Sequence, residues 1–139
     1  MLRNCYKIPV DKLIVEFDIR TVYKVSLFID ELNSEKIKIV IADNKDRFRR
    51  AVYEILMGRY NNDLYGKEKV SGKTVNITAI KFKRRNNSNI RIYCKEYIDS
   101  QIPNVKSVVM ICTYDKRTQK IDKKLRSFIN RISGYEYEI

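Results

Sequence analysis

The sequence predicts an α+β fold. In it, an antiparallel or mixed sheet ends in a C-terminal three-strand meander, packs on two N-terminal helices and is followed by a C-terminal helix. Segments rich in β-branched and aromatic residues predict the meander strands at residues 74–83, 90–98 and 107–114. Apolar residues recur at helical spacing before the meander and after it. The 139 residues are a length typical of one domain, so we expect a single domain over residues 1–139.

The second meander strand shows the clearest alternation. Apolar residues occupy every second position, and cations and tyrosines occupy the positions between them. Because side chains alternate along a strand, we expect one face towards a core and the other towards solvent. The core face is Ile90, Ile92 and Cys94, and the outward face is Arg91, Tyr93, Lys95 and Tyr97.

The other two meander strands differ from this pattern. Residues 108–112 form an unbroken apolar run, which predicts a central strand buried on both faces. In the first strand the apolar residues change parity after Ala79. We therefore expect a bulge near Ala79 that aims Lys81 and Lys83 outward beside Arg91.

The N-terminal half predicts a strand at 12–20 and then a helix, capped by Thr21, that ends near Asn33. Residues 36–42 alternate like a strand but are too few to decide between strand and helix. Asp43 or Asn44 can cap the next helix. Its apolar stripe is Phe48, Ala51, Val52, Ile55 and Leu56.

The C-terminal end predicts one more helix, which Thr118 can cap and Gly134 ends. A short acidic and aromatic tail, YEYEI, follows it. The apolar face of this helix is Ile121, Leu125, Phe128, Ile129 and Ile132.

The charge balance favours a polyanionic partner. Lys and Arg number 29 against 17 Asp and Glu, which gives a net charge of +12. Nucleic acid is the first expectation, an acidic protein the second and anionic lipid the third; the alternative is a merely soluble basic surface. The chain has no histidine, which excludes Ser-His triads and His metal sites, so we expect no metal and no cofactor.

The same composition predicts a cytoplasmic protein without a membrane partner. No apolar run approaches the ~20 residues of a membrane span, and the N-terminus lacks the apolar stretch of a signal peptide. Cys5, Cys94 and Cys112 have no metal-ligand spacing and are typical of small core residues in a reducing compartment.

The remaining chemistry is phosphate chemistry by cations and tyrosines. RNA carries its own nucleophile, the 2′-hydroxyl, so Lys, Arg and Tyr can bind the phosphate, stabilise its transition state and donate a proton without a metal. A strand face of this kind equally describes a passive RNA-binding sheet or a solvated outer face. The predicted catalytic residues are Lys81, Lys83, Arg91, Tyr93 and Lys116, and the predicted RNA-binding residues are Arg84, Arg85, Lys95, Tyr114 and Arg117.

The meander and its basic tail resemble the RelE/ParE superfamily of bacterial toxins, and most closely its HigB-like branch. The resemblance covers roughly residues 12–132, and the joint order of short motifs carries it. The motifs are FIDEL (28–32), IKFK (80–83), IRIYC (90–94), VVMICTYDKRTQK (108–120) and IDKKL (121–125).

The resemblance implies a toxin of a type II toxin–antitoxin system, with a sheet packed on two helices. It often implies a ribosome-dependent endoribonuclease that cuts translated mRNA and is bound by an acidic antitoxin. The position of the family's catalytic tyrosine falls near Asp122, which leaves Tyr114 or Tyr93 for that role. By position, Lys81 and Lys83 match the strand lysines, Arg91 the phosphate-binding arginine, and Lys116 or Arg117 the distal cation.

Three hypotheses therefore stand at the level of sequence. The first is a metal-independent endoribonuclease toxin acting on mRNA. The second is a non-catalytic RNA-binding module that uses the same strand face to bind RNA without cleaving it. The third is a relative of these toxins whose basic surface meets an acidic protein partner, either an antitoxin or gyrase.

Overall fold

A computed structural model describes residues 2–10, 24–68, 72–74, 76–83, 89–98, 101–102, 105–116 and 123–139. The strands are β1 (Leu2–Ile8), β2 (Lys24–Asp30), β3 (Tyr65–Lys67), β4 (Ile77–Lys83), β5 (Asn89–Ile98), β6 (Val105–Lys116) and β7 (Glu136–Glu138). The helices among the described residues are α1 (Ser34–Asp43), α2 (Lys45–Leu56) and α3 (Lys123–Ser133), with a short 3-10 turn at Gly72–Thr74.

The strands form one mixed sheet in the order β3-β4-β5-β6-β2-β1-β7. The meander β4-β5-β6 is antiparallel, β2 runs parallel to β6, and β1 is antiparallel to β2. The predicted α+β class, the meander and its C-terminal helix are confirmed. The central position predicted for the apolar strand is also confirmed, because β6 lies between β5 and β2.

Helices cover both faces of this sheet. Ile37 and Val40 of α1 and Ile55 of α2 pack against one face, which we call the α1/α2 face. Leu125 and Ile129 of α3 pack against the other, which we call the α3 face. The sheet is therefore the middle of three layers.

Burial on both faces explains why β4 has no clean alternation. Ile77 and Ala79 lie on the α3 face, whereas Ile80 and Phe82 lie on the α1/α2 face. The bulge expected near Ala79 is wrong, because β4 and β5 pair in continuous register.

The irregularity is instead in β6, next to Tyr93 of β5. Tyr93 pairs with Cys112 and Cys94 pairs with Met110, so Ile111 is the extra residue. The Ile111 carbonyl accepts a hydrogen bond of 2.9 Å from the side-chain amide of Asn33. A backbone carbonyl at the bulge is thereby satisfied.

Two N-terminal expectations are corrected. The helix expected to end near Asn33 is the strand β2, which pairs with both β1 and β6, and these tertiary contacts override local helical spacing. Residues 36–42, which alternate like a strand, lie in α1. There Ile37 and Val40 are buried and Ile39 is 61% exposed, which is helical spacing.

The helices expected after Asn44 and near the C-terminus are confirmed as α2 and α3. The tail contains β7, which pairs in parallel with β1. The strand expected at 12–20 and the cap expected at Thr118 lie outside the described residues. None of the described helices is long and apolar enough to cross a membrane.

Candidate functional site at the end of the meander

Three of the predicted residues lie side by side in one cross-strand row. Arg91 of β5 is directly opposite Lys81 of β4 and Tyr114 of β6. The row is on the α3 face, since Tyr93 and Tyr114 both pack in that core. In the next row Lys83 and Lys116 lie opposite the two sides of Asn89. The register of the meander thus brings four of the predicted cations to one end of the sheet.

A carboxylate that sequence reasoning missed joins this row. Glu68, one residue beyond β3, forms an ion pair with Arg91. The side chains of Glu68 and Arg91 are only 7% and 13% exposed. The Glu68 backbone N–H donates to the Ile77 carbonyl at 2.9 Å, which places the loop against β4. The one sequence signal was an isolated acid within the basic stretch GKEKVSGK.

Lys81 is held by the loop between α2 and β3. Its ammonium donates to the Asn62 carbonyl at 2.8 Å, and its backbone N–H donates to the Leu64 carbonyl at 2.9 Å. Gly66 makes the close approach possible, since a Cβ there would stand 3.3 Å from the Asn62 side-chain oxygen. Burial chiefly, and the charge of Arg91 next, lower the pKa of Lys81 from its ordinary value.

Two buried polar atoms near this row have no hydrogen-bond partner. They are Nε of Arg91 and the hydroxyl of Tyr93. Burial raises the pKa of Tyr93. Because most buried polar groups are hydrogen-bonded, two such atoms side by side require an explanation. We call Glu68, Lys81, Arg91, Tyr93 and Tyr114 together the Arg91 cluster.

The prediction that Tyr93 points to solvent is wrong, because α3 covers it. The Tyr93 ring lies 6.0 Å from the Phe128 ring and 6.1 Å from the Tyr114 ring. Tyr114 is half-buried and packs 4.9 Å from Phe128, measured between ring centroids. Of the two tyrosines, only Tyr114 offers ring surface to a ligand.

Lys95 also departs from the predicted outward face. It is buried beneath the C-terminal end of α3, where its ammonium donates to the carbonyls of Ser133 at 3.0 Å and Tyr135 at 2.8 Å. It also pairs with Glu136 at 3.1 Å. These bonds satisfy carbonyls at the end of the helix and favour a structural position for Lys95. Arg84, Arg85 and Arg117 lie outside the described residues.

A second cluster, which also contains a carboxylate, a lysine and two tyrosines, lies on the opposite face of β5. Glu96 accepts hydrogen bonds from Tyr60 at 2.7 Å and Tyr65 at 2.6 Å. It also pairs with Lys106 at 2.6 Å, and Thr78 donates to the Tyr65 hydroxyl at 2.8 Å. We call these five residues the Glu96 cluster. No side-chain polar atom of this cluster is buried without a partner.

The described residues bring together no group of three or more His, Cys, Asp or Glu side chains that could hold a metal ion. All three cysteines are free thiols. Cys94 is buried in the core as expected, whereas Cys5 and Cys112 are half-buried.

Comparison with models of known protein families, with curated proteins and with solved structures finds no match to this chain. The functional proposal therefore depends on the geometry of the Arg91 cluster and on the motifs quoted above.

Proposed function

We propose that this protein is a toxin that cleaves RNA as a metal-independent endoribonuclease at the Arg91 cluster. One observation carries the proposal: a carboxylate, a guanidinium and an ammonium of lowered pKa lie together at the end of the meander. These three groups supply a base, a phosphate ligand and an acid. The proposed substrate is mRNA.

The reaction would be a transesterification. Glu68 accepts the proton of the 2′-hydroxyl, whose oxygen attacks the adjacent phosphorus. The bond from phosphorus to the 5′-oxygen breaks, and Lys81 donates a proton to that oxygen as it leaves. The products are a 2′,3′-cyclic phosphate and a 5′-hydroxyl. Arg91 stabilises the extra negative charge on the phosphoryl oxygens.

The unpartnered atoms support a ligand at this point. A guanidinium has five N–H donors, and Glu68 pairs with Nη1 of Arg91 while Nε stays unsatisfied. Because Nε is buried, a phosphoryl oxygen would bond it only after the side chains that cover it move aside. Tyr114 is half-buried, so the exposed part of its ring can contact an unpaired base. Lys83 and Lys116 lie in the next row by strand register.

The lowered pKa of Lys81 suits a proton donor. A general acid works best when its pKa approaches the ambient pH, and burial beside Arg91 moves the ammonium in that direction. The resemblance to the RelE/ParE superfamily supports Arg91 as the phosphate ligand and matches Lys81 to one of the strand lysines, but it gives no role to Glu68. It also supports a cytoplasmic location and an acidic antitoxin as protein partner.

The test is whether the purified protein cleaves free single-stranded RNA in EDTA. A second assay uses mRNA on programmed ribosomes, under conditions in which the ribosomes stay assembled. We expect cleavage in EDTA, and loss of cleavage in Glu68→Gln and Lys81→Gln. Lys124→Gln is the matched control, because Lys124 is exposed on α3 and is not a member of the cluster. Cleavage that requires a protein-bound divalent ion would overturn the mechanism.

A growth assay tests whether the protein acts as a toxin in a bacterium. Induced expression in a bacterium should arrest growth and produce new mRNA ends, and Glu68→Gln should abolish both. If RNA binds but no ends appear, the non-catalytic module is correct instead. In that case each charge removed at Lys81 or Arg91 should lower the salt slope of single-strand binding by about 0.7.

A further inference from the structure

A cavity lies between the start of α1, the middle of β6 and the C-terminal half of α3. Its described lining includes Asn33 before α1, Thr113 of β6 and Ile132 of α3. The volume is about 320 Å³, at the lower end of the range of about 300–1,000 Å³ in which small-molecule sites fall. No member of the Arg91 cluster is among the residues that line it.

Two arginines that line the cavity are each held over an aromatic ring that lines it too. The guanidinium of Arg3 lies 4.2 Å from the centre of the Tyr135 ring. The guanidinium of Arg131 lies 5.2 Å from the centre of the Phe128 ring. A cation–π contact restrains the guanidinium, whose N–H groups can still donate to an anion. Each pair therefore provides a positioned cation with ring surface beside it.

A buried carboxylate next to the cavity fixes two of the residues that line it. Asp30 is fully buried and accepts hydrogen bonds from Nε of Arg3 at 2.9 Å and from the backbone N–H of Asn33 at 3.0 Å. The side-chain amide of Asn33 in turn donates to the Ile111 carbonyl at 2.9 Å. This part of the lining is thus ordered before any ligand binds, which lowers the entropic cost of binding.

The charges around the cavity favour a dianion. The described lining contains three cations, Arg3, Lys36 and Arg131, and no Asp or Glu. Asp30 compensates the charge of Arg3, so Lys36 and Arg131 provide the net positive charge. Both are exposed, one on α1 and one on α3. A phosphate monoester carries about −1.5 to −2 at pH 7 and matches this balance better than a carboxylate, which carries a single charge.

Apolar surface lies beside these cations. Leu32 lines the cavity and is 79% exposed, and Ile132 lines it and is buried. A bare phosphate would leave this surface in contact with water, whereas an apolar group attached to the phosphate would cover it. The lining therefore suits a molecule with one anionic end and one apolar end.

We propose that this cavity binds a small molecule that carries a phosphate monoester on an aromatic or aliphatic group. The phosphate would accept hydrogen bonds from Lys36 and Arg131, and the attached group would lie against Leu32 and Ile132. The proposal goes beyond RNA cleavage and does not depend on it.

The test is a titration of the full chain with phenyl phosphate, followed in two-dimensional amide NMR spectra. We expect saturable shifts of the backbone amides of Asn33 and Arg131. Inorganic phosphate and phenol, which each lack one half of the probe, should bind at least about tenfold more weakly. Equal binding of inorganic phosphate and phenyl phosphate would overturn the proposal. Shifts at Glu68 and Arg91 in place of Asn33 and Arg131 would also overturn it, because the probe would then bind at the Arg91 cluster.

Charge variants test the two phosphate ligands. Lys36→Gln and Arg131→Gln should each weaken phenyl phosphate about tenfold, because each removes a charge-assisted hydrogen bond to the dianion. The matched controls are Lys38→Gln on α1 and Arg126→Gln on α3, since both residues are exposed and neither lines the cavity. The controls should leave the affinity within about twofold. Equal weakening by all four variants would reduce the binding to diffuse attraction by a basic surface and overturn the site.

Leu32→Asn tests the apolar half of the site. Because Leu32 is exposed, the substitution should leave the fold intact. It should weaken phenyl phosphate about threefold and leave inorganic phosphate unchanged. An unchanged affinity for phenyl phosphate would contradict the apolar contact. A single-stranded oligouridine without a terminal phosphate that displaces phenyl phosphate would assign the cavity to RNA and overturn the small-molecule proposal.

Discussion

The two clusters on β5 each contain a carboxylate, a lysine and two tyrosines, and they differ in how completely their polar atoms are hydrogen-bonded. In the Glu96 cluster a carboxylate, a lysine, two tyrosines and a threonine use one another as hydrogen-bond partners. In the Arg91 cluster, Nε of Arg91 and the hydroxyl of Tyr93 are buried without partners. A closed network stabilises one conformation, whereas an open one retains capacity for a ligand.

The cause of this difference is the connection that reaches each cluster. Tyr60 and Tyr65, from the segment between α2 and β4, close the Glu96 cluster on the α1/α2 face. On the α3 face, Phe128 packs over Tyr93 and Tyr114 but supplies no hydrogen bond to Arg91. Four predictions test whether the Glu96 cluster mainly stabilises the fold and the Arg91 cluster mainly serves RNA cleavage.

The largest expected effect is loss of the closed network. Glu96→Gln leaves Lys106 buried without its counter-ion, and we expect the free energy of unfolding to fall by about 3–5 kcal/mol. Urea unfolding measures it. Glu54→Gln is the control, because Arg59 of the Arg59–Glu54 pair is 52% exposed and the pair should contribute less than about 1 kcal/mol. A similarly small loss for Glu96→Gln would show that the closed network is not what stabilises this region.

The second prediction concerns the open cluster. Arg91→Gln should lower RNA cleavage about a hundredfold, equivalent to about 3 kcal/mol of transition-state stabilisation. It should also lower stability, by up to about 3 kcal/mol, because Glu68 loses its buried partner. Replacement of an exposed arginine without a buried partner would lower the free energy of unfolding by less.

A double variant separates these two effects. Glu68→Gln together with Arg91→Gln removes both charges and should restore much of the stability without restoring cleavage. If cleavage recovers in proportion to stability, Arg91 acts as a structural partner of Glu68 and the cluster resembles the Glu96 cluster after all.

Sequence patterns predicted β5, β6 and two of the described helices because each has one strong pattern. In β5, Ile90, Ile92 and Cys94 alternate, and α2 shows a full helical stripe. β2 was missed because Val25 and Ile29 fit helical spacing as well as strand spacing, and the pairing partners that decide between them are distant in sequence.

The candidate site was only partly predictable for a related reason. Lys81, Arg91 and Tyr114 were found because alternation places them on one face of neighbouring strands. Alternation does not reveal what covers that face, so the burial of Tyr93 and Lys95 under α3 was not predicted. Glu68 comes from a loop with no period, and only the tertiary structure brings it to Arg91.

The third prediction uses the pKa of Lys81. If its ammonium donates the proton, cleavage should fall about tenfold for each pH unit above the lowered pKa, because the donor is then deprotonated. Lys81→Arg keeps the charge but not the transferable proton, so the variant should be slower and lose this alkaline decline. Lys67→Arg, at an exposed position on β3, is the control and should keep the wild-type pH profile. An alkaline decline that persists in Lys81→Arg would assign the donor to another group.

The fourth prediction has the smallest expected effect. It tests whether a buried hydroxyl without a hydrogen-bond partner is enough to mark a ligand site. Tyr97, like Tyr93, has a buried hydroxyl without a partner, but it lies in a groove beside Val105 and Ile139, away from Arg91. Tyr93→Phe should lower RNA cleavage about fivefold if its hydroxyl bonds the substrate. Tyr97→Phe should leave cleavage unchanged. If the two variants behave alike, the open hydroxyl of Tyr93 carries no functional information.

The stability of Tyr97→Phe adds a pH test to the same comparison. Burial chiefly, and the charge of Glu136 next, raise the pKa of Tyr97 from 10.0 to about 12. The pKa of Tyr97 is higher in the folded chain than in the unfolded chain. The stability that comes from burying the neutral phenol is therefore present below pH 10.0 and is lost as pH rises through about 12. Solvent screening at this half-exposed residue limits the loss to about 0.5 kcal/mol. Urea unfolding at pH 7 should therefore give equal or slightly higher stability for Tyr97→Phe, and near pH 11 the variant should be the more stable protein. Equal alkaline loss in both proteins would show that the phenol of Tyr97 ionises as freely in the folded chain as in the unfolded one.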